Sequence, residues 1–327
     1  MKKIIIGVDV SAKTLDICVK DENKLSNLKI DNTIVGIRTF LKKYDKEVFS
    51  VYLAMENTGR YNWNLYEVLE KFKFVVFVVN PLHLKKSLGL TRGKNDIIDA
   101  ERICLFAEKN HLELPIWKAS SDAVKKIKIF HRERASRVKM RTNLMQQQHD
   151  YSLMKPIKLD KELMKLNQNL IKGIEKQIHI IECKIQAIIN EEITLKEQAQ
   201  RIQTIPGVGK VLTWMIIAKT EGFTAFTDPR KMACYAGVVP FDHQSGTSVK
   251  YKSKVSIYAD KELKSILHLA AMSAIRLDNE LRTYYLRKVE EGKNKMSVLN
   301  AIRNKIIHRI FALIKNENFY QKDFVLS

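Results

Sequence analysis

The first eighty residues alternate short apolar runs with longer amphipathic segments, a pattern that indicates a mixed α/β domain. The run at 4–10 is apolar and β-branched, and apolar residues alternate with polar ones at 15–19, as in the two strands of a hairpin. Continued along the chain, the pattern predicts strands at 4–10, 15–19, 28–30, 49–55 and 74–79, helices at 35–43 and 61–72, and further helical segments from residue 82 onward.

The rest of the chain is predicted to be mainly helical. One long helix spans 122–151, Pro156 interrupts it, and a second long helix follows. Glycines become frequent after residue 203, a helix is predicted at 211–219, and helices return from residue 261 to about residue 315. These changes predict three domains, at 1–150, 151–200 and 201–327.

Isoleucines recur in the second long helix at alternating spacings of three and four residues, which is the heptad pattern of a coiled coil. They are Ile171, Ile174, Ile178, Ile181, Ile185 and Ile188. An intramolecular helical hairpin would use this seam, and so would the self-association of two or more chains. We therefore expect 151–200 to be a coiled-coil connector between domains and an element of a homo-oligomer.

The charge of the chain predicts a polyanionic partner. Lys and Arg number 57 against 36 Asp and Glu, so the formal net charge is +21. Such an excess repels itself unless a polyanion such as nucleic acid neutralises it. Basic residues are concentrated in the first long helix, where they predict a phosphate-contacting surface rather than a merely solvated face: Lys125, Lys126, Lys128, Arg132, Arg134, Arg137, Lys139 and Arg141.

Membrane and extracellular locations are disfavoured by the sequence. No apolar run approaches the roughly 18 residues that a membrane span needs, and no basic amphipathic helix has an aromatic-rich face. The four cysteines are far apart and form no CxxC pair, which fits a reducing compartment. We expect a cytoplasmic, nucleoid-associated protein without a membrane partner.

Four acidic residues stand where the predicted fold would gather them. Asp9 interrupts an apolar strand, where a carboxylate is costly unless it is paired or bound to metal, and Glu56 follows the strand at 49–55. Asp96 and Asp99 open a helix and share one face. Three antiparallel strands followed by helix, strand, helix, strand and helix is typical of the ribonuclease H-like (RuvC-like) fold. Four carboxylates in that order predict a site for two divalent metal ions.

Simpler explanations exist for each of these carboxylates. Asp9 could make a turn contact at the end of its strand, and Asp96 and Asp99 could complement the dipole of their helix. An actin-like ATPase shares this topology and places a residue such as Lys13 soon after the first acid. The sequence lacks the second phosphate loop and the glycine-rich adenosine motif that such an ATPase requires.

Two glycine-containing segments mark the C-terminal third. Gly207 and Gly209, followed by Lys210, precede a helix and permit a helix-hairpin-helix-like turn whose backbone N–H groups can hold a phosphate, although a capping turn would look similar. Ser245 lies in Gln-Ser-Gly, where composition alone indicates an ordinary loop serine without a histidine partner fixed by spacing. The lysines that follow suit a polyanionic substrate: Lys250, Lys252 and Lys254.

Together these motifs resemble the DEDD transposases of insertion sequences, which are relatives of the Piv-type DNA invertases. The resemblance rests on the four acidic residues and on Ile-Pro-Gly-Val-Gly, Tyr-Ala-Gly-Val-Val-Pro and Gln-Ser-Gly, and it covers nearly the whole chain. That family joins a RuvC-like domain to a C-terminal transposase domain through a coiled coil. Members that act as recombinases are guided by a structured bridge RNA that pairs with donor and target DNA.

The resemblance implies a role for each motif. Asp9, Glu56, Asp96 and Asp99 would bind Mg²⁺ or Mn²⁺, and Ser245 would attack the DNA phosphate and form a covalent phosphoserine link. The family builds a composite site in a tetramer, with the carboxylates of one subunit facing the serine of another. The implied function is a bridge-RNA-guided DNA transposase or recombinase.

One segment departs from the family, and two other functions stay open. Many relatives carry Ile-Ser-Lys-Arg-Gly-Asn where residues 255–261 here read Val-Ser-Ile-Tyr-Ala-Asp-Lys, which leaves the DNA contacts of this segment undefined. The first alternative is a RuvC-like nuclease or Holliday-junction resolvase that hydrolyses DNA with metal alone. The second is a non-enzymatic scaffold that binds RNA or DNA.

Overall fold

A computed structural model describes residues 1–81, 83–84, 96–245, 249–256 and 258–321, with the backbone alone described at 60, 155–157, 241–245 and 249–254. The chain divides into two compact units, Met1–Ala119 and Ser120–Ser327. Each unit has its own hydrophobic core. The functional domains at 1–150, 151–200 and 201–327 stay a prediction.

The first unit is built on a five-stranded mixed sheet in the order β3-β2-β1-β4-β5. Strands β1, β2 and β3 are antiparallel neighbours, whereas β4 is parallel to β1 and β5 is parallel to β4. This arrangement is compatible with the predicted ribonuclease H-like fold. The elements are β1 (Lys2–Val10), β2 (Thr14–Asp21), β3 (Lys24–Asp31), α1 (Ile34–Leu41), β4 (Phe49–Glu56), a short 3₁₀ helix (Gly59–Asn62), α2 (Trp63–Leu69), β5 (Val75–Val79) and α3 (Asp96–Asn110).

Different helices cover the two faces of the sheet. Ile4, Ile6 and Val8 of β1 share a core with buried residues of α1 and α2. On the other face, α3 packs directly on the β1 backbone at Gly7, where a Cβ atom would lie 2.4 Å from the carbonyl oxygen of Ala100. The missing side chain at Gly7 therefore permits the close approach of α3 to the strand.

The second unit is mainly helical around one large core. Trp214, Ile216 and Ile217 are buried there together with Ile302 and Ile306. Within the described part of the chain, no helix has the length and apolar composition needed to cross a lipid bilayer. The elements are α4 (Asp122–Tyr151), a 3₁₀ helix (Ser152–Ile157), α5 (Asp160–Glu191), α6 (Ile193–Gln203), α7 (Lys210–Thr220), α8 (Pro229–Tyr235), the paired strands β6 (Pro240–Ser245) and β7 (Val249–Val255), α9 (Lys261–Ala274), α10 (Glu280–Glu290) and α11 (Lys295–Lys315).

The isoleucine seam of α5 packs within its own chain. Ile181 and Ile185 are buried in one cluster with Val124 and Ile127 of α4. The two helices are antiparallel, since residues progressively later in α4 pair with residues earlier in α5. Of the two uses that the heptad pattern allowed, the structure shows the intramolecular hairpin, and a homo-oligomer would have to use other surfaces as well.

Candidate active site

Asp9 and Glu56 lie side by side at the carboxyl ends of two parallel strands. Val8 of β1 is paired with Met55 of β4, so the next residue of each strand continues the same register. Residues two apart in a strand point to the same face. Both carboxylates therefore share the face of the sheet on which Gly7 is covered by α3.

The direction of α3 brings its first turn to the same edge. Cys104 Sγ donates a hydrogen bond to the carbonyl oxygen of Ile5 (3.5 Å), and Ala100, one turn earlier, lies over Gly7. The helix therefore runs antiparallel to β1. Four residues before Ala100 correspond to about 6 Å of helix axis, and two residues after Gly7 correspond to about 6.6 Å of strand. Asp96, the first residue of α3, thus arrives near the end of β1.

The four carboxylates share one electrostatic environment. Burial, followed by the negative charges of Asp96, Asp99 and Glu56, raises the pKa of Asp9 from 3.8 to about 6. Side chains of two other elements, β4 and α3, thus act on the Asp9 carboxyl group of β1. Carboxylates gathered in this way repel one another, and a bound cation would relieve that repulsion.

The carboxylates are neighbours without being at ligand distance from one another. Across the described residues, no three His, Cys, Asp or Glu side chains lie close enough to share one metal ion. Arg102 Nη1 binds a carboxylate oxygen of Asp99 at 2.8 Å and thus occupies part of that donor. Charge effects extend over longer distances than metal bonds, so the two observations are compatible. The donor set consists of hard carboxylate oxygens, which fits a divalent cation such as Mg²⁺ or Mn²⁺.

Sequence reasoning missed two residues beside this cluster. Arg102 is one turn after Asp99 on α3 and competes with any metal for that carboxylate. Asp16 is paired with Asp9 across the β1–β2 ladder, is only 3% exposed, and forms an ion pair with Lys29 at 3.1 Å. In the sequence, Asp16 alternates with the apolar Leu15 and Ile17, which is the pattern of a strand with one exposed face. That pattern gave no sign that Asp16 lies beside Asp9. The antiparallel register would have revealed it, since opposed residues share a face.

Ser245 is the last residue of β6, not a loop residue as its composition indicated. Its backbone is paired with Val249 of β7. The predicted roles of Lys250, Lys252 and Lys254 fall on β7, and the side chains of these lysines and of Ser245, like residues 246–248, lie outside the described part of the structure. The roles of all four residues stay predictions.

The two ends of this hairpin are tied together by a group that we call the hairpin anchor, formed by Lys219, Tyr235 and Asp260. One carboxylate oxygen of Asp260 accepts hydrogen bonds from Lys219 Nζ (2.6 Å) and from the Tyr235 hydroxyl (2.8 Å). The backbone N–H of Asp260 donates to the Tyr235 carbonyl (2.9 Å). Between them, Gly237 has a φ of +64°, and a Cβ atom there would lie 2.3 Å from Ala259. The segment that departs from the family pattern therefore ends in a fixed contact.

The predicted helix-hairpin-helix-like turn combines a packed glycine with an open one. Gly207 has a φ of +83°, and a Cβ atom there would lie 2.4 Å from the Ala270 carbonyl oxygen and 2.6 Å from the Ala274 nitrogen. This glycine is therefore required by packing against α9. Gly209 and Lys210 are exposed, and Gly209 precedes the first turn of α7 without a side-chain cap. Only this second part of the turn is accessible to a phosphate.

Most of the basic residues predicted on α4 are paired with acids. Acidic residues of α5, of α4 itself and of the turn after α7 form these pairs: Lys125–Asp122, Lys128–Glu221, Arg134–Glu182, Arg137–Glu133 and Arg141–Glu175. Lys126, Arg132 and Lys139 are exposed. The surface of α4 on which phosphate contacts are predicted is thus narrower than the sequence suggested.

Comparison with known proteins places these features in a family. A family model described as a transposase matches residues 6–151, and one described as the transposase IS116/IS110/IS902 family matches residues 199–286. The chain is 26% identical over 335 residues to the pilin gene-inverting protein of Moraxella bovis, covering 98% of this chain and 99% of that protein. It is 23% identical over 347 residues to the transposase for insertion sequence element IS1111A of Coxiella burnetii, covering 98% of this chain and 92% of that protein.

Transposase models match both parts of the chain. The first part contains the mixed sheet with the clustered carboxylates, and the second is the helical unit with the glycine-containing turn. The class of protein is therefore a DNA transposase. The chain belongs to the IS116/IS110/IS902 family of insertion-sequence transposases, and its activity is DNA recombination.

Proposed function

We propose that this transposase cleaves and rejoins DNA through Ser245, with Asp9, Glu56, Asp96 and Asp99 holding Mg²⁺ or Mn²⁺. The observation that carries the metal part is the convergence of carboxylates from β1, β4 and α3, three of which raise the pKa of the fourth. The family uses divalent metal in general, which supports the same assignment. Bound there, the ions would activate the attacking oxygen and stabilise the leaving oxygen of a phosphoryl transfer.

The proposed reaction conserves the energy of the broken phosphodiester bond. Ser245 Oγ loses its proton and bonds to the phosphorus, while the bond from phosphorus to the leaving deoxyribose oxygen breaks and that oxygen gains a proton. The resulting phosphoserine ester is then attacked by a deoxyribose hydroxyl of another DNA end, which restores the serine. The Gln-Ser-Gly motif at the end of β6 supports this role.

DNA is the substrate, and we extend the proposal to a bridge RNA and a tetrameric assembly. The net charge of +21 and the exposed Lys126, Arg132 and Lys139 support a polyanionic partner. The isoleucine seam is used within the chain, but Leu166 and Leu170 of α5 are each 59% exposed and Ile180 is 45% exposed. This second stripe supports self-association of the helical hairpin, and the relative named a pilin gene-inverting protein suggests that inversion is one outcome of the reaction.

Trapping a covalent protein–DNA adduct tests the serine mechanism. The full chain is incubated with Mn²⁺, DNA carrying the element ends, and RNA transcribed from its flanks, and the products are resolved under denaturing conditions. We expect an adduct that Ser245→Ala and Asp9→Asn both abolish and that the neighbouring Ser248→Ala retains. Cleavage without an adduct, unchanged in Ser245→Ala, would instead establish the metal-only nuclease. If the wild type and Asp9→Asn both bind DNA and neither cleaves it, the protein is the non-enzymatic scaffold.

A further inference from the structure

A cavity of about 610 Å³ lies between α10 and α11 in the second unit, away from every residue considered above. Its walls include the ring of Tyr284 and three cationic side chains, those of Arg287, Lys305 and Arg309. Two acidic residues, Asp278 and Glu280, also line it. Which of these charges are already neutralised decides what the cavity can bind.

Tyr284 holds two of the cations without consuming their hydrogen-bond donors. Lys305 Nζ lies 4.6 Å from the centre of the tyrosine ring, and the guanidinium carbon of Arg287 lies 5.9 Å from it. A cation–π contact attracts a cation to the ring face but accepts none of its N–H groups as a carboxylate would. Arg287 also approaches Glu291, at 3.8 Å, beyond ordinary hydrogen-bond length. Both cations are therefore positioned and still able to donate.

The third cation is paired with one of the two acids that line the cavity. Arg309 Nη2 binds Glu280 at 2.5 Å and its guanidinium lies 5.6 Å from the ring centre of Tyr320. The Tyr320 hydroxyl donates to the same Glu280 carboxylate at 2.8 Å. Glu280 is thus engaged twice through Oε1, and the lining holds three cations against two carboxylates, an excess of one positive charge.

We propose that this cavity binds a phosphate of a nucleic-acid backbone, contacted by Arg287 and Lys305. A guanidinium and an ammonium group that line one cavity suit the oxygens of a phosphodiester, and the tyrosine ring that both of them contact suits the adjoining sugar or base. An acidic protein segment would instead need cations spread along a groove. The inference rests on the proposed function in one respect: the phosphate belongs either to the DNA substrate or to the guiding RNA.

The number of phosphate contacts made in the cavity can be measured from the salt dependence of nucleic-acid binding. The full chain is titrated against fluorescent duplex DNA and, separately, single-stranded RNA over a series of salt concentrations. Each lost contact lowers the slope of log K against log salt by about 0.9 for duplex DNA and about 0.7 for a single strand. We therefore expect Arg287→Ala/Lys305→Ala to lower the slope by about 1.8 or about 1.4, respectively.

Control variants distinguish a specific phosphate site from nonspecific electrostatic attraction of nucleic acid to the protein. Lys293→Ala/Lys295→Ala removes the same charge from the start of α11 outside the cavity and should change the slope by less than half as much. Tyr284→Phe keeps the ring face and should bind as the wild type does, whereas Tyr284→Leu frees both cations and should weaken binding several-fold. The four substituted cations are exposed, whereas Tyr284 is half-buried against the core, so a thermal melt checks that each variant is folded.

The outcomes assign the phosphate or reject the site. A reduced slope with DNA alone, with RNA alone or with both supports the proposal and identifies the source. Slopes equal to those of Lys293→Ala/Lys295→Ala with both nucleic acids would overturn it. The serine mechanism is tested separately, because Ser245→Ala should leave these slopes unchanged. A protein without a serine adduct but with the slope change would retain the cavity proposal and lose the proposed chemistry.

Discussion

Asp9 is the residue whose surroundings differ most from those of an ordinary strand position. It is partly buried, and the three carboxylates around it disfavour its charged form. Without metal, ionising Asp9 therefore costs free energy in the folded protein that it does not cost in the unfolded chain. The consequence can be measured in the stability of the metal-free protein.

We expect Asp9→Asn to be more stable than the wild type in the absence of metal above the pKa of about 6. Because the folded pKa is raised, wild-type stability falls as the pH rises from 3.8 through 6 and stays low above that range. The difference should be about 1–3 kcal/mol. Urea denaturation with chelator measures it, and the exposed Asp45→Asn should show none. Divalent metal should then stabilise the wild type and not Asp9→Asn; the reverse order of stability without metal would contradict this account.

His131 of α4 gives the second unit a different pH dependence. It is 5% exposed, and burial, followed by the charges of Lys219 and Arg134, lowers its pKa from 6.5 to about 4. A neutral histidine in the folded state stabilises the protein above pH 6.5, and this stability is lost as the pH falls toward 4. The loss should be about 2–3 kcal/mol. Chemical denaturation should show that His131→Gln removes this dependence and that the exposed His149→Gln retains it.

The elements show which sequence patterns suffice to predict structure. The strands β1 and β4 were predictable because their apolar, β-branched runs match a strand buried on both faces. Strand β3 extends over Lys24–Asp31, well beyond the predicted 28–30, because it is held by pairing with β2 and has mostly exposed side chains. The hairpin β6–β7 was missed for a related reason. Its residues are largely polar, so no alternation marks it, and contacts distant in sequence hold its ends.

The hairpin anchor predicts how β6 and β7 respond when one of those contacts is removed. Tyr235→Phe deletes the hydroxyl that donates to Asp260 and leaves the ring in place. A hydrogen bond to a charged group contributes about 1.5–3 kcal/mol. Hydrogen exchange at 240–255 should accelerate accordingly, while exchange in β1 stays unchanged. Tyr285→Phe, at a half-buried tyrosine of α10, is the control. Equal protection of the hairpin in both variants would exclude the anchor as its support.

The candidate site was predictable to the extent that it depends on topology. The carboxyl ends of adjacent parallel strands meet at one edge, so Asp9 and Glu56 could be placed together from the order of elements alone. Two contacts could not be predicted, because they depend on helix direction and cross-strand register. They are those of Arg102 with Asp99 and of Asp16 with Lys29. The basic face of α4 was overestimated partly for the same reason, because three of its five neutralising acids are supplied by α5 and by Glu221.

At the scale of the whole molecule, the position of α4 decides where the carboxylate-bearing part of the chain can be separated. The predicted first domain ends at residue 150, within α4, but Val124 and Ile127 of that helix are buried in the core of the second unit. Trp117, by contrast, donates its backbone N–H to Val76 (2.7 Å) and stacks on Tyr66 at 5.1 Å, so the first unit is complete by Ala119. A fragment of 1–119 should contain everything its core requires.

We therefore expect the 1–119 fragment to unfold cooperatively and to gain stability from divalent metal, as we expect for the full chain. The 1–150 fragment would add α4 without the core that buries its apolar residues, so its extra residues should be unprotected in hydrogen exchange and should promote aggregation. Calorimetry and exchange on both fragments measure this, with Asp9→Asn in 1–119 as the metal control. A 1–119 fragment that fails to fold while 1–150 folds would return the boundary to residue 150 and assign α4 to the predicted first domain.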